Sequence, residues 1–172
     1  MIHPHQVAMV EADRDGRSAL LVAPTGTGKT MAGFLPSLIE LSAPDAEDRL
    51  HTIYISPLKA LAVDIERNLA IPIREMGLDI RAETRTGDTP QAKRKRQREN
   101  PPQVLMTTPE SLEMMLTWPD AATIFKGVRR VVLDELHALA GNKRGDLLSL
   151  SLSRLRRLAP GMRVVGLSAT VA

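Results

Sequence analysis

The chain lacks cysteine altogether and has very few aromatic residues. Without cysteine among its 172 residues, it can form neither a disulfide nor a thiolate metal site. The aromatic side chains are limited to Phe34, Tyr54, Trp118 and Phe125. So few rings argue against a surface that holds nucleic acid mainly by base stacking.

Long apolar stretches are also missing. No run approaches the roughly 18 to 20 apolar residues that a membrane span needs. Residues 1–15 are polar and lack the apolar segment of a signal peptide. The sequence therefore predicts a cytoplasmic protein with no membrane partner.

The remaining composition is that of an ordinary globular domain. Hydrophobic residues make up 43% of the chain and charged residues 25%, which suits one well-filled core. Lysine and arginine exceed the acidic residues by 23 to 20, an excess that permits a nucleic-acid partner without requiring one.

Short apolar runs alternate with longer segments in which apolar residues recur every three or four positions. The runs predicted as buried strands are Ser18 to Ala23, Thr52 to Ile55, Val104 to Met106, Val131 to Leu133 and Val164 to Leu167, with a weaker sixth at Ile80 to Thr84. The segments predicted as helices are Lys29 to Leu41, Leu58 to Met76, Pro109 to Thr117 and Arg144 to Leu158. This alternation predicts an α/β fold with a mostly parallel sheet and helices on both faces.

The polar residues of the chain cluster where these strands end. Ligands gather at the carboxyl ends of the strands in such sheets, so one edge of the sheet is expected to carry the function. Residues 44–48 form a loop that we expect to be exposed.

The segment APTGTGKT follows the first strand and opens a helix, which is the arrangement of a phosphate-binding loop. Glycines let backbone N–H groups face an anion, and the helix dipole adds positive potential. The lysine would reach the β and γ phosphates, and the last threonine would coordinate Mg²⁺. The residues predicted to bind the nucleotide are Thr25, Gly26, Thr27, Gly28, Lys29 and Thr30. Ala23 stands where the common motif has glycine.

The segment VVLDELHAL supplies two acids at the end of a buried strand. A buried acid is costly unless a partner compensates it, and a nearby Mg²⁺ would do so. We assign Asp134 to the metal and Glu135 to the general base that accepts a proton from an attacking water. His137 is a candidate functional residue only because it lies two residues after Glu135.

In these segments the chain resembles superfamily 2 helicases of the DEAD/DEAH-box class, in the first of their two RecA-like domains. The matching segments are, in order, Gln6, APTGTGKT, SPLKALAVD, TRTGDT, TTPESL, DELH and SAT. The longer strings SPLKALAVDIERNL, ETRTGDTP and LDELHALAGNKRGDLLSLSLSRL are most similar to the Lhr (large helicase-related) branch, and within it to bacterial DEXH helicases associated with a DNA ligase in the damage response.

The resemblance implies roles that the residues alone do not. It implies a RecA-like P-loop NTPase fold over residues 1–172, with ATP and Mg²⁺ as cofactors and Gln6 selecting adenine. Ser168 and Thr170, with His137, would couple the nucleotide state to the nucleic-acid site. A second RecA-like domain of the same parent chain would supply arginine fingers and half of the nucleic-acid track. Because the sequence stops just after SAT, we expect it to be a fragment of such a helicase.

Two strand ends share a hydroxyl residue followed by proline: Ser56-Pro57 and Thr108-Pro109. By itself, this pattern indicates a capped helix with proline at its first position. With the resemblance, free N–H groups at these helix starts would bind successive phosphates of a single strand or tailed duplex, DNA being favoured over RNA. Lys59 would add charge there, and the tight turn at Thr86-Gly87 would let backbone approach the strand.

The sequence is compatible with three functions. The first is a nucleic-acid-dependent ATPase that forms half of a helicase. The second is a nucleic-acid or protein binding module that no longer hydrolyses ATP efficiently, and the third, with little support, is a small-molecule kinase. The basic run Lys93 to Arg98 fits either a solvated helix face or an electrostatic contact with nucleic acid.

Overall fold

The computed structural model describes residues 3–169 and has alternating strands and helices. The strands are β1 (Ala19–Val22), β2 (Thr52–Ile55), β3 (Ala82–Arg85), β4 (Val104–Thr107), β5 (Arg130–Leu133) and β6 (Arg163–Ser168). The helices are α1 (Pro4–Arg14), α2 (Lys29–Leu41), α3 (Lys59–Glu75), α4 (Gln91–Glu99), α5 (Pro109–Leu116), α6 (Ala121–Phe125), α7 (Leu136–Leu139) and α8 (Lys143–Leu158).

The strands form one six-stranded sheet in the order β1-β6-β5-β2-β4-β3, with every neighbouring pair parallel. The predicted α/β fold with a parallel sheet is therefore confirmed. The weak sixth strand exists as β3, although it begins and ends later than the apolar pattern predicted.

Helices cover both faces of the sheet, because alternate residues of each central strand enter different cores. Ile53 and Ile55 of β2 pack in one core with residues of α5, α6 and α8. Tyr54, between them, packs in the other core with residues of α1, α2 and α3. Since β2, β4 and β5 are buried on both faces, they read in sequence as continuous apolar runs.

The longer helices follow their sequence patterns closely. α2 has the predicted bounds, and α3, α5 and α8 begin and end within one or two residues of theirs. The pattern did not predict α1, which buries only Gln6 and Met9, or α6 and α7, which are too short to show a helical period. Within residues 3–169, no helix is long and apolar enough to cross a membrane.

One predicted helix start was wrong. Thr108 caps α5 with Pro109 as the first helical residue, as expected. Pro57, by contrast, lies in a turn, and α3 begins only at Lys59 after an extended Leu58. The reason is local, because the Ser56 hydroxyl accepts a hydrogen bond from the Leu58 N–H (3.3 Å) and holds the chain in a turn that competes with the helix. At the start of α4, Pro90 occupies the capping position before Gln91, and the preceding Thr89 hydroxyl accepts a hydrogen bond from the Thr86 N–H (2.9 Å).

A buried ion network closes the amino edge of the sheet, opposite the predicted functional edge. Arg130, at the start of β5, is fully buried and pairs with Asp13 of α1 and Glu40 of α2. Arg163 of β6 contacts the same two carboxylates. Burial alone would raise the pKa of Glu40, but the hydrogen bond with His51 and the charge of Arg130 hold it at about 2. The network ties α1 and α2 to the sheet and leaves the opposite edge to the loops.

Candidate functional site

The loop between β1 and α2 has the backbone of a phosphate-binding loop. Gly26 and Gly28 have φ angles of 80° and 75°, in the left-handed region where glycine carries no steric cost. The Thr27 hydroxyl donates to the Pro24 carbonyl (2.8 Å) and closes the loop on itself. Gly28 then caps α2, whose first N–H groups open toward the loop.

A cleft of about 240 Å³ lies between this loop and the end of β5. Seven residues line it: Thr25, Gly26, Gly28, Lys29, Thr30, Asp134 and Glu135. Lys29 is 7% exposed, and its Nζ donates to the Ala23 carbonyl (2.9 Å). Both predicted acids and all the predicted loop residues except Thr27 thus line one cleft. The Thr27 hydroxyl instead closes the loop by its hydrogen bond to Pro24.

Asp134 is held from two sides at the floor of the cleft. One carboxylate oxygen accepts from the Glu135 N–H (2.8 Å), and the other accepts from the hydroxyl of Tyr54 on the neighbouring strand β2. Burial, and then the charge of Asp134, raise the pKa of Tyr54 well above its usual value, so its hydroxyl remains a donor. Such support fixes the direction in which a ligating carboxylate points.

Glu135, His137 and Ser168 form a chain of contacts across the ends of β5 and β6. Glu135 has a φ of 50°, unusual for a residue with a side chain, and precedes the short helix α7. Its Oε2 lies 3.0 Å from His137 Nε2, and His137 Nδ1 lies 3.1 Å from the Ser168 hydroxyl. The predicted coupling residues His137 and Ser168 therefore touch each other, whereas Thr170 lies outside the described residues.

Gln6 lies beside the phosphate loop, as a nucleotide-selecting residue should. Its Nε2 is 3.5 Å from the Gly28 carbonyl, and its Oε1 accepts from the His3 N–H (3.0 Å) at the start of α1. A side chain at Gly28 would meet Gln6 Nε2 at 3.1 Å, so the close approach requires glycine there. Its role toward adenine remains a prediction.

The predicted nucleic-acid residues occupy the other half of the same sheet edge. Ile55, Thr107 and Arg85 are paired across β2, β4 and β3. Ser56 follows β2, Thr108 follows β4 and Thr86 follows β3. These three residues therefore lie side by side at the carboxyl edge of the sheet. The Ser56 N–H continues the ladder by donating to the Thr107 carbonyl (3.0 Å). The starts of α3 and α5 face this edge, which suits the binding of successive phosphates.

The loops that carry these residues are tied to one another. Lys59 Nζ donates to Asp88 (3.0 Å), and a side chain at Gly87 would come within 3.5 Å of that ammonium. Arg144, at the start of α8, donates to the Pro57 carbonyl (2.7 Å) and to the Glu110 carboxylate (2.6 Å). Arg144 thus links the β2–α3 loop to the first turn of α5.

Sequence reasoning missed Tyr54 and Arg144. Tyr54 lies in an apolar strand that is buried on both faces, so the sequence pattern of this strand indicated only that Tyr54 is a core residue. Arg144 begins a predicted helix, and its partners are 34 and 87 residues away in the chain. No local signal could have revealed either contact.

Comparison with known proteins places the chain among helicases. Residues 3–172 match the family model of the DEAD/DEAH box helicase. The ATP-dependent helicase Lhr-Core of Methanothermobacter thermautotrophicus is 48% identical over 91% of this chain and 20% of its own length. The Lhr helicase and probable uracil glycosylase of Mycolicibacterium smegmatis is 46% identical over 98% of this chain and 12% of its own length.

A solved structure agrees with these relatives. The structure of Mycobacterium smegmatis helicase Lhr bound to ssDNA and AMP-PNP superimposes with a TM-score of 0.90 at 44% identity, covering 99% of this chain and 23% of that one. The predicted RecA-like fold and Lhr-like resemblance are therefore confirmed. The chain spans about a fifth of the length of its Lhr-Core relatives.

Proposed function

The chain belongs to the DEAD/DEAH box helicase family, and from this membership we propose that residues 1–172 form the first RecA-like domain of an Lhr-like helicase. The domain binds Mg-ATP in the cleft beside Lys29 and hydrolyses it in response to a nucleic-acid strand. One observation carries this proposal: the nucleotide residues and the nucleic-acid residues occupy adjacent halves of one sheet edge. The Tyr54–Asp134 contact joins the two halves.

The cleft suits ATP and a magnesium ion. Gly26, Gly28 and the start of α2 form an anion-binding cradle, and Lys29 supplies the cation for the β and γ phosphates. The Thr30 hydroxyl and the Asp134 carboxylate line the same cleft, and oxygen atoms of these kinds are the ligands that Mg²⁺ prefers. When bound, the ion supplies charge neutralisation of the phosphates. Gln6, adjacent to Gly28, would select adenine.

Glu135 is the residue best suited to activate water. It lines the cleft beside Asp134, and its contact with His137 orients the carboxylate. His137 in turn contacts Ser168 at the end of β6. A change at Ser168 would therefore reach the base through His137, which supports the predicted coupling role of these two residues.

A single nucleic-acid strand fits the row formed by Ser56, Thr108 and Thr86. Because the contacts offered there are the first N–H groups of α3 and α5, hydroxyls and Lys59, they would go to phosphate and sugar and confer little sequence specificity. DNA is the favoured strand, since the related Lhr structure contains ssDNA. Placement beside ligase-associated helicases, and with it a role in DNA repair, remains a prediction.

A second RecA-like domain is the expected protein partner. Arginine fingers contribute about 10³ to 10⁵ in rate in related phosphoryl-transfer systems. Those arginines would come from that domain, so residues 1–172 alone should hydrolyse ATP very slowly. Their affinity for a strand should also be low, because they would provide one side of the track.

The test is phosphate release by residues 1–172 and by a longer protein that includes a second RecA-like domain, each with and without ssDNA. We expect stimulation by ssDNA in the longer protein and only slow release by the short one. Absence of any ssDNA-stimulated release in the longer protein would instead favour the non-hydrolysing binding module. Transfer of phosphate to an alcohol rather than to water would favour the kinase.

Tyr54→Phe should raise the Mg²⁺ concentration that is needed for tight nucleotide binding without preventing that binding. The substitution keeps the ring, which stacks on Phe34 with centroids 5.3 Å apart, but removes the donor to Asp134. Loss of a group that orients a metal ligand typically costs about 10- to 100-fold in metal affinity. The measurement is the Mg²⁺ concentration that half-saturates binding of a fluorescent ATP analogue. Binding of the same analogue in EDTA is the control and should not change; equal losses with and without Mg²⁺ would indicate only a structural role.

A further inference from the structure

Helix α4 carries the basic run from Lys93 to Arg98, and most of its cations are already paired. Four of them contact an acid: Lys93 with Glu66 (3.8 Å), Lys95 with Glu99 (3.9 Å), Arg96 with Glu83 (2.6 Å) and Arg98 with Asp120 (2.7 Å). The Lys95–Glu99 pair lies within α4, and the other three join α4 to α3, β3 and the start of α6, so most of the run stabilises the fold.

Arg94 is the exception in this run. Its side chain forms no ion pair with any acid among residues 3–169, and its Nε is buried without a hydrogen-bond partner there. The residue is nevertheless partly exposed, so its guanidinium can meet solvent or a ligand. A buried N–H without a partner is energetically costly, which makes Arg94 unusual in a fold-stabilising helix.

Arg85 is a second cation without an ion pair among the described residues, and it contacts the backbone of Arg94. It is the last residue of β3 and is 8% exposed. Its Nη1 donates to the Arg94 carbonyl (2.6 Å), and its guanidinium lies 4.6 Å from the centre of the Trp118 ring. Buried arginines are normally paired with an acid, so this one stands out.

The positive charges of Arg85, Arg94 and Arg98 therefore lie close enough to repel one another. Arg98 also lies over Trp118, at 4.8 Å, but its charge is matched by Asp120. Burial first, and then the positive charges of Arg94 and Arg98, lower the pKa of Arg85 to about 10. An anion beside Arg94 would offset the part of this pKa shift that comes from the neighbouring positive charges.

We propose that Arg94 binds a phosphate of the nucleic-acid strand beyond the point where the strand passes Thr86 and Gly87, with the neighbouring Arg85 adding positive potential. The position supports nucleic acid rather than an acidic protein segment, because Arg85 directly precedes Thr86 and Arg94 lies in the first turns of the helix that follows the same turn. A guanidinium also suits a phosphate, since it can donate two parallel hydrogen bonds. The inference rests on the proposed nucleic-acid function and lengthens its track beyond β3.

The experiment compares Arg94→Gln with Lys95→Gln, its neighbour on the same helix. Both variants remove one positive charge and keep a long polar side chain, but Lys95 is paired with Glu99 and largely exposed. The measured quantity is the affinity for fluorescent ssDNA, by anisotropy, across a salt titration. Each neutralised phosphate contributes about 0.7 to the slope of log affinity against log salt for a single strand.

We expect Arg94→Gln to reduce that slope by about 0.7 and to weaken binding at low salt, with Arg94→Lys recovering the slope because the charge returns. Lys95→Gln should leave the slope at the wild-type value. An unchanged slope in Arg94→Gln, or equal reductions in both glutamine variants, would overturn the proposal. If the wild-type protein showed no salt-dependent ssDNA binding at all, the proposed function itself would fail, and the two failures can be told apart.

Discussion

Lys29→Ala is expected to weaken Mg-ATP binding by about 100-fold or more while leaving the fold intact. A hydrogen bond to a charged group contributes about 1.5–3 kcal/mol, and Lys29 would serve two phosphates, while 1.4 kcal/mol corresponds to a tenfold change in affinity. Within residues 3–169 its ammonium donates only to the Ala23 carbonyl, so the fold depends little on it. Isothermal titration with Mg-ATP measures the change.

Lys143→Ala is the matched control for this substitution. It removes the same charge from an exposed position at the start of α8, away from the cleft, and should leave the affinity unaltered. Unchanged affinity in Lys29→Ala would refute the phosphate-loop assignment. Equal losses in both variants would indicate a general effect of net charge.

Glu135→Gln should separate binding from turnover. General bases contribute about 10² to 10⁴ in rate, and glutamine keeps the size of the side chain and a polar partner for His137 without accepting a proton. We therefore expect Mg-ATP affinity near wild type and ssDNA-stimulated phosphate release reduced by that factor. The assay needs a protein in which this domain is accompanied by a second RecA-like domain.

Glu47→Gln provides the corresponding control. Glu47 lies in the exposed loop between α2 and β2, near the amino edge of the sheet, where it pairs with Arg49. Glu47→Gln should leave the ssDNA-stimulated release of phosphate unchanged. Turnover near the wild-type rate in Glu135→Gln would show that another group activates the water.

The sequence predicted which residues meet at the carboxyl edge of the sheet because the signals for their positions are local. A strand, a glycine-rich turn and a helix start are adjacent in the chain, so Gly26, Gly28 and Lys29 could be assigned from spacing alone. Asp134 and Glu135 follow an apolar run, and parallel strands bring such ends to one edge. The same reasoning predicted that Thr108 would cap α5.

Most of what could not be predicted depends on contacts between distant segments, and one feature depends on a local choice between a helix cap and a turn. The Tyr54 hydroxyl meets Asp134 across 80 residues, and a tyrosine in an apolar strand gives no sign of a polar partner. The choice at Ser56 between capping a helix and stabilising a turn was decided within three residues, where both outcomes fit the same pattern. The pairing of the basic run required knowing that β3 and α3 lie against α4.

In the proposed function, nucleotide and nucleic acid bind to adjacent halves of one sheet edge and influence each other. The most direct test is linkage: the affinity for Mg-AMP-PNP is measured with and without saturating ssDNA, and the affinity for ssDNA with and without saturating Mg-AMP-PNP. In a protein that carries this domain and a second RecA-like domain, both affinities should rise by one common factor, about 5- to 150-fold, because coupling between two sites is reciprocal. If each ligand bound with the same affinity whether or not the other was present, the claim that the two halves of the edge communicate would be wrong.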